Sequence, residues 1–410
     1  MIGENSMQFD SKAPGVYKEE VFLRPRPALL TGVPGLVGFA SVIGEDKKAQ
    51  SRPGQASMSQ PVMLHRKDEF EANFKSLAEG YLADAVNGFF LNEGSHCYVV
   101  AVQLDDEWNT QERLEALKAA LETLAPLTDL DLIAIPDAMT LRLSSDARGV
   151  DTDVIELQRE MLEHCAKHKG RMAILDALPG RDQAAIKKQR TAIRAGLAEL
   201  MNGALYYPWI KTYGGRVVPP CGHVAGIFAR SDSRVGVFKA PANEEVKGAL
   251  DLEFSVDDKT QTDLNPLGIN CLRSFPGRGI RVWGARTLHP DPDTPHPDPD
   301  WCYINVRRLF LTLQRWIDLN MAWTSFEPNT PVLWVRIERE LNSYLSGLWN
   351  AGALMGESAE QAFYVKCDDE TNTPDTEEAG QVITEIGLAA SAPAEYIVVR
   401  VVHHTGMEPR

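Results

Sequence analysis

Apolar residues follow two rhythms along this chain. Through the middle, short continuous apolar runs alternate with segments whose apolar residues recur every three or four positions. Residues 97–102 are apolar throughout, as a strand covered on both faces should be. The next segment opens on Asn109 with Glu112 three residues on, the spacing of a reciprocal helix cap. Leu114, Leu117, Leu121 and Leu124 then form one helical stripe. The pattern continues with a strand over 130–135 and a helix over 153–169 that turns Val154, Leu157, Met161 and Cys165 inward. A strand over 172–177, a long helix running to about residue 201 and a strand over 204–209 complete it. Strands alternating with helices predict an α/β fold, a mostly parallel sheet with packed helices.

The last third reads differently. A short strand at 279–284 precedes a helix over 304–321, with Val306, Leu309, Phe310, Leu313, Trp316 and Ile317 on one face. Thr330 and Pro331 read as N-cap and first helical position. Leu333, Ile337, Leu341, Tyr344, Leu345 and Leu348 stripe the helix they start, which stops near Gly352. Strands are predicted at 363–367 and 382–386. Helix and strand no longer alternate regularly, so a second, α+β domain is expected. Both chain ends are β-prone: residues 16–23, followed by Pro25 and Pro27, and residues 395–403. A terminal strand can complete its own sheet or add to the edge of another, and the pattern alone leaves both open. Residues 31–38 are apolar and glycine-punctuated. A repeated His-Pro-Asp-Pro-Asp at 289–293 and 296–300 predicts a stiff exposed loop.

Composition narrows the function. A chain of 410 residues suggests two domains. Its net charge of −15 argues against nucleic acid and against an anionic membrane surface. Residues 1–12 have no basic or apolar region of a signal peptide. No stretch approaches the roughly 18 apolar residues of a membrane span. The chain is therefore expected to stay in the cytoplasm or to leave by a route other than secretion. The six cysteines are far apart without a CxxC pair, so reduced thiols are expected rather than disulfides or zinc.

Candidate chemistry is sparse. Asp105, Asp106, Asp137 and Asp176 fall near strand ends, where parallel sheets bind ligands. An α/β hydrolase-like or metal-dependent enzyme using Asp137 and Asp176 is the competing class, with carboxylates as general bases or ligands. Aspartate is equally an ordinary turn residue, and no Gly-x-Ser-x-Gly elbow is present. His164 and His168 share a helix face, but Cys165 stands where a zinc protease motif needs glutamate. The glycine clusters at 32–38 and 277–279 lack the Gly-Lys-Ser/Thr of a phosphate loop. No catalytic residue, metal or cofactor is assigned.

Several segments then resemble, in order, the contractile tail sheath family of phage tails and extracellular injection systems. These are Pro14-Gly15-Val16-Tyr17-Lys18-Glu19-Glu20, Phe89-Phe90-Leu91-Asn92-Glu93-Gly94, Tyr206-Tyr207-Pro208-Trp209, Pro219-Pro220-Cys221-Gly222-His223 and Leu264-Asn265-Pro266-Leu267-Gly268. The most specific is Phe275-Pro276-Gly277-Arg278-Gly279-Ile280-Arg281-Val282-Trp283-Gly284-Ala285-Arg286-Thr287, continued by Arg307-Arg308-Leu309 and Pro393-Ala394-Glu395-Tyr396-Ile397. Glu93 departs from the family, which has a second glycine there. The His/Pro/Asp loop is a departure too, a local surface insertion.

The resemblance implies a structural subunit, not an enzyme, assembled in rings of six-fold symmetry around an inner tube. It implies an N-terminal arm over 1–25, an α/β domain over 26–245, a C-terminal α+β domain over 246–394 and a C-terminal arm over 395–410. The arms would exchange strands between subunits through Val16, Tyr17, Val21, Phe22, Tyr396, Ile397, Val399 and Val401. Gly277, Arg278, Gly279, Trp283, Arg286, Arg307 and Arg308 would be structural. Arg336 and Arg339, on the polar face of the helix beginning at Pro331, would face the tube. Implied partners are further copies of the chain, an inner tube protein, and baseplate and cap proteins, with neither nucleic acid nor membrane insertion. A minor sheath paralogue at the baseplate or cap is the alternative within this class. Assembly is expected in the cytoplasm of the producing bacterium, followed by incorporation into a phage tail or a released or anchored injection particle.

Overall fold

A computed structural model describes residues 29–43, 57–104, 108–141, 152–289 and 301–395. The glycine-punctuated stretch near the N-terminus forms the interior strand β1 (Pro34–Val42), buried over its first seven residues. The chain then runs through β2 (Val62–Leu64), α1 (Asp68–Asn73), β3 (Phe74–Ser76), α2 (Leu82–Leu91), β4 (Cys97–Val102), α3 (Thr110–Glu122), β5 (Leu132–Ala134), α4 (Thr152–Lys167), β6 (Met172–Asp176), α5 (Gln183–Arg194) and β7 (Gly203–Tyr207). After β8 (Ile210–Thr212), β9 (Val217–Val218) and α6 (Cys221–Arg234) come β10 (Ala249–Leu252), α7 (Asp258–Leu264), β11 (Ile269–Phe275) and β12 (Gly279–Trp283).

Among the described residues nine strands form one sheet, ordered β12-β11-β7-β6-β5-β1-β4-β2 with β3 also on β1. The interior pairs from β11 to β4 are parallel, and β12, β2 and β3 add antiparallel margins. Alternate side chains of each strand feed two cores. Val37, Val100, Ile133 and Leu175 pack with Leu117 of α3, Leu157 of α4 and Ile186 of α5. Leu36, Val99, Leu132 and Ile174 pack with Phe89 of α2 and Phe228 of α6 on the other face. The sheet is thus covered on both sides, which is why its strands are apolar throughout.

Local signals held where they were specific. Asn109 Oδ1 accepts from the Glu112 N–H at 3.0 Å, and Glu112 Oε2 from the Asn109 N–H at 2.8 Å. The helix expected to reach residue 201 stops at Arg194 instead. Arg159 Nη1 donates to the Ile193 and Ala195 carbonyls at 3.1 and 2.6 Å, satisfying orphan acceptors at that end. Gly196 then turns with φ +72°. Thr330 sits at the N-cap of the later helix, but its side chain makes no capping bond.

The sheet has no break at the expected boundary of 245/246, because β11 and β12 extend it beyond β7. A third core gathers later, from α8 (Ile304–Asn320), α9 (Pro331–Asn350), β13 (Phe363–Lys366) and β14 (Glu385–Leu388). Helix α8 belongs to both regions. Its Ile304 and Leu311 enter the sheet core. Its Leu309 and Leu313 enter the third core, with Leu333, Ile337, Leu341 and Leu345 of α9. The expected arm residues Val16, Tyr17, Val21, Phe22, Tyr396, Ile397, Val399 and Val401 lie outside the described residues, as do Asp105 and Asp106.

Candidate functional site

The arginine doublet at the start of α8 locks that helix to the sheet. Arg308 is 2% exposed. Its guanidinium donates to Asp232 of α6 at 2.8 and 2.6 Å and to Asp131, just before β5, at 2.9 Å. Asp131 also accepts from the backbone of Gly32 and Val33 at 3.0 and 2.7 Å. Arg315, about two turns along α8, lies 3.9 Å from Asp131. Burial opposes charge on Arg308, but Asp232 and Asp131 outweigh it and hold its pKa above the ordinary value. Arg307 donates to Asn202 Oδ1 at 3.1 and 2.9 Å and stacks 4.9 Å from the Trp301 ring.

The Phe275-to-Arg286 segment builds an arginine-topped hairpin. Gly277 and Gly279 both take φ +71°, a conformation glycine adopts without strain. Between them Arg278 reaches Asn243 Oδ1 at 2.9 Å, and Phe275 packs on Trp283 with ring centroids 4.6 Å apart. The outer edge of β12 is covered: Val246 N–H donates to Ile280 O, and Val282 N–H to Glu244 O, at 2.8 and 3.0 Å. Arg286, after β12, holds Glu395, the last described residue.

The small β13–β14 sheet differs. Its strands pair antiparallel with each other, and among the described residues no third strand joins them. A two-stranded sheet is marginal alone, and an open edge is a template for another strand. On α9, Arg336 and Arg339 are both exposed, with Arg336 stacked 4.2 Å from the Trp323 ring. Val332 and Val335 on that helix are 71% and 63% exposed.

Asp137 and Asp176, the carboxylates of the competing enzyme reading, are sealed inside. Asp137 is fully buried and accepts from the N–H groups of Phe39 and Tyr81 at 2.6 and 2.5 Å. Burial pushes its pKa to about 6, against those bonds. Asp176, 3% exposed, accepts from the Cys221 N–H at 2.9 Å, and burial pushes its pKa to about 7. Burial, with Asp176 beside it, raises the Cys221 thiol well above its usual value, which disfavours the thiolate. Asp176 ties the end of β6 to the start of α6, and Asp137 ties β1 to the start of α2.

Glu122, His164 and His168 place three ligand atoms within 4.8 Å. Arg171 Nη1 lies 2.9 Å from His164 Nε2, and Glu122 Oε1 lies 3.2 Å from Nδ1. An arginine only donates, so the ring carries its proton on Nδ1, toward Glu122, where a metal would need a lone pair. Lys167 also engages Glu122, at 3.3 Å. Glu122 and His164 are thus engaged with Lys167, Arg171 and each other, and His168 Nε2 lies 4.0 Å from Glu122.

The sequence did not reveal Asp131, Asp232 or the open β13–β14 sheet. The Arg307-Arg308 doublet on an apolar helix face was the signal that buried acids must exist.

This architecture is that of contractile-sheath subunits. It matches a chain of the anti-feeding prophage baseplate, resolved with 6-fold symmetry, at 29% identity and TM-score 0.71 over 96% of this chain and 100% of that one. It matches a chain of the contracted sheath complex of PVC, an extracellular contractile injection system, at 29% identity and TM-score 0.67 over 96% and 98%. The tail sheath protein of Salmonella phage ViI is 28% identical over 177 residues, 42% of this chain. That match spans about a quarter (26%) of the phage protein. Residues 139–288 match the phage tail sheath protein central domain and 296–403 the phage tail sheath C-terminal domain. The chain belongs to the phage tail sheath family.

Proposed function

We propose that this chain is the repeating subunit of a contractile sheath. It polymerises in helical rings around an inner tube and drives that tube forward when the lattice shortens. The observation that carries this reading is likeness over 96% of the chain to a sheath subunit in a contracted assembly. Partners are further copies of itself, an inner tube protein, and baseplate and cap proteins. The arms at 1–25 and 395–410 add strands to the β13–β14 sheet of another subunit. Main-chain pairing of this kind is worth about 1 kcal/mol per bond and can persist while body contacts change. The two lattices form the bistable element. The exposed α9 face with Arg336 and Arg339 meets acidic groups of the tube. Exposed ion pairs are worth about 0–1 kcal/mol each, weak enough to break during contraction. Assembly takes place in the producing cell before incorporation into a tail or injection particle. Among the described residues no helix is long and apolar enough to cross a membrane.

The baseplate match favours a second reading, in which copies of this chain sit against the baseplate. Electron microscopy of purified protein tests the main reading. Long tubular polymers are expected. A small discrete oligomer that never extends, with or without the tube protein, contradicts it.

A further inference from the structure

The last described residues run from beside the small sheet, where Ala389 and Ser391 bond the backbone of residues 353–362, to the α/β body. Ala390 bridges to Leu354. The Ser391 carbonyl accepts from Asn305 Nδ2 of α8 at 2.9 Å. Glu395 then forms a two-pronged pair with Arg286: Nε donates to Oε1 at 2.9 Å, and Nη2 donates to Oε2. Both side chains are 15% exposed. Asn265 Nδ2 reaches the same carboxylate at 3.4 Å. Arg286 is itself fixed by Asn270, which is fully buried on β11. Asn270 donates to the Arg286 carbonyl and accepts from its N–H, both at 2.7 Å.

These anchors fix the position and heading of the chain at Glu395. To pair with β14 of its own subunit, the segment after Glu395 would need the chain to reverse within residues 389–395. Ala390, Ser391 and Glu395 are each bound on a path that runs on to the flank of β11. Charge-assisted two-pronged pairs add direction as well as energy, so the clamp sets where the segment leaves.

We propose that the Arg286–Glu395 pair is a latch. It holds the root of the C-terminal arm away from its own β13–β14 sheet and presents the arm to a second copy of this chain. The latch rests on the strand-exchange reading of the arms, and Arg286 and Glu395 act in it as positioning residues.

Full-length Arg286→Gln and Glu395→Gln test it, beside a doubly exchanged R286E/E395R chain. Each single change is expected to raise the concentration needed for polymer about tenfold or more, and the exchanged pair to restore it. A photo-crosslinking residue at Val401, in mixtures of isotopically light and heavy chains, reports where the arm goes. Arm-to-body crosslinks are expected between light and heavy chains in the parent and within single chains in Arg286→Gln. Parent-like polymerisation of both singles, failure of the exchanged pair, or crosslinks that stay between chains in Arg286→Gln overturns the latch. A chain ending at Glu395 separates the two ideas. If it polymerises normally, strand exchange by this arm fails. If it does not, while Arg286→Gln does, the latch alone fails.

Discussion

Glu93, where the family resemblance implies glycine, takes φ +69°. A side chain in that region costs about 1–2 kcal/mol. Two cations compensate: Arg234 at 2.7 Å and Lys247 at 2.5 Å. Glu93→Ala keeps the strain and loses both pairs, whereas Glu93→Gly loses the pairs and relieves the strain. Denaturant midpoints are expected to rank Glu93→Gly above Glu93→Ala by about 1 kcal/mol. Asp176 gives stability a pH dependence of definite sign. Its carboxyl titrates at about 7 in the fold, against 3.8 ordinarily. Between those values the native state keeps a proton that the unfolded chain has released. This contribution is therefore full at low pH and lost as pH rises through about 7. Asp137, at about 6, acts in the same direction. His164 and His223, lowered to about 4 by burial, act oppositely, losing stability as pH falls from 6.5 toward 4. The carboxylates and the histidines thus act in opposite directions in mildly acid solution. Asp176→Asn is expected to reduce the stability lost between about pH 6 and about pH 8, read from denaturant midpoints. An unchanged slope contradicts the assignment.

At the scale of elements, α8 splices the sheet to the third core, held to the sheet by Arg308 and to that core by Leu309 and Leu313. Removing one member of a buried charge cluster leaves the others unpaired, at a cost of about 3–5 kcal/mol. Arg308→Met is expected to lose that much by chemical denaturation, and a change below about 1 kcal/mol would show the cluster to be dispensable. On α9, Arg336→Glu with Arg339→Glu is expected to leave folding intact and weaken co-sedimentation with the tube protein. Equal co-sedimentation would remove α9 from that contact. The legible elements were those with a strong period or cap: α3 with its Asn109–Glu112 box, and α8 and α9 with their leucine stripes. Strand β1 was missed because Gly35 and Gly38 break its pattern. A Cβ at Gly38 would lie 2.3 Å from Asp137 Oδ2, so that glycine reflects a close approach rather than a turn. Helix α6 was hidden for a similar reason, since Gly222 and Gly226 press against the α2 backbone. The partners of Arg308 were not legible because Asp131 and Asp232 are far from it in sequence and bear no local pattern.

For the whole molecule, the shared helix α8 joins the sheet and the third core. Fold and family were readable from ordered motifs, while the open β13–β14 sheet needed three dimensions. The central claim is that identical chains are joined by exchanged terminal strands. Deleting residues 1–23 and comparing the product with the full chain by electron microscopy tests this most directly. A folded monomer that forms no long sheaths is the predicted result, and normal tubular polymers from the deleted chain would contradict the account.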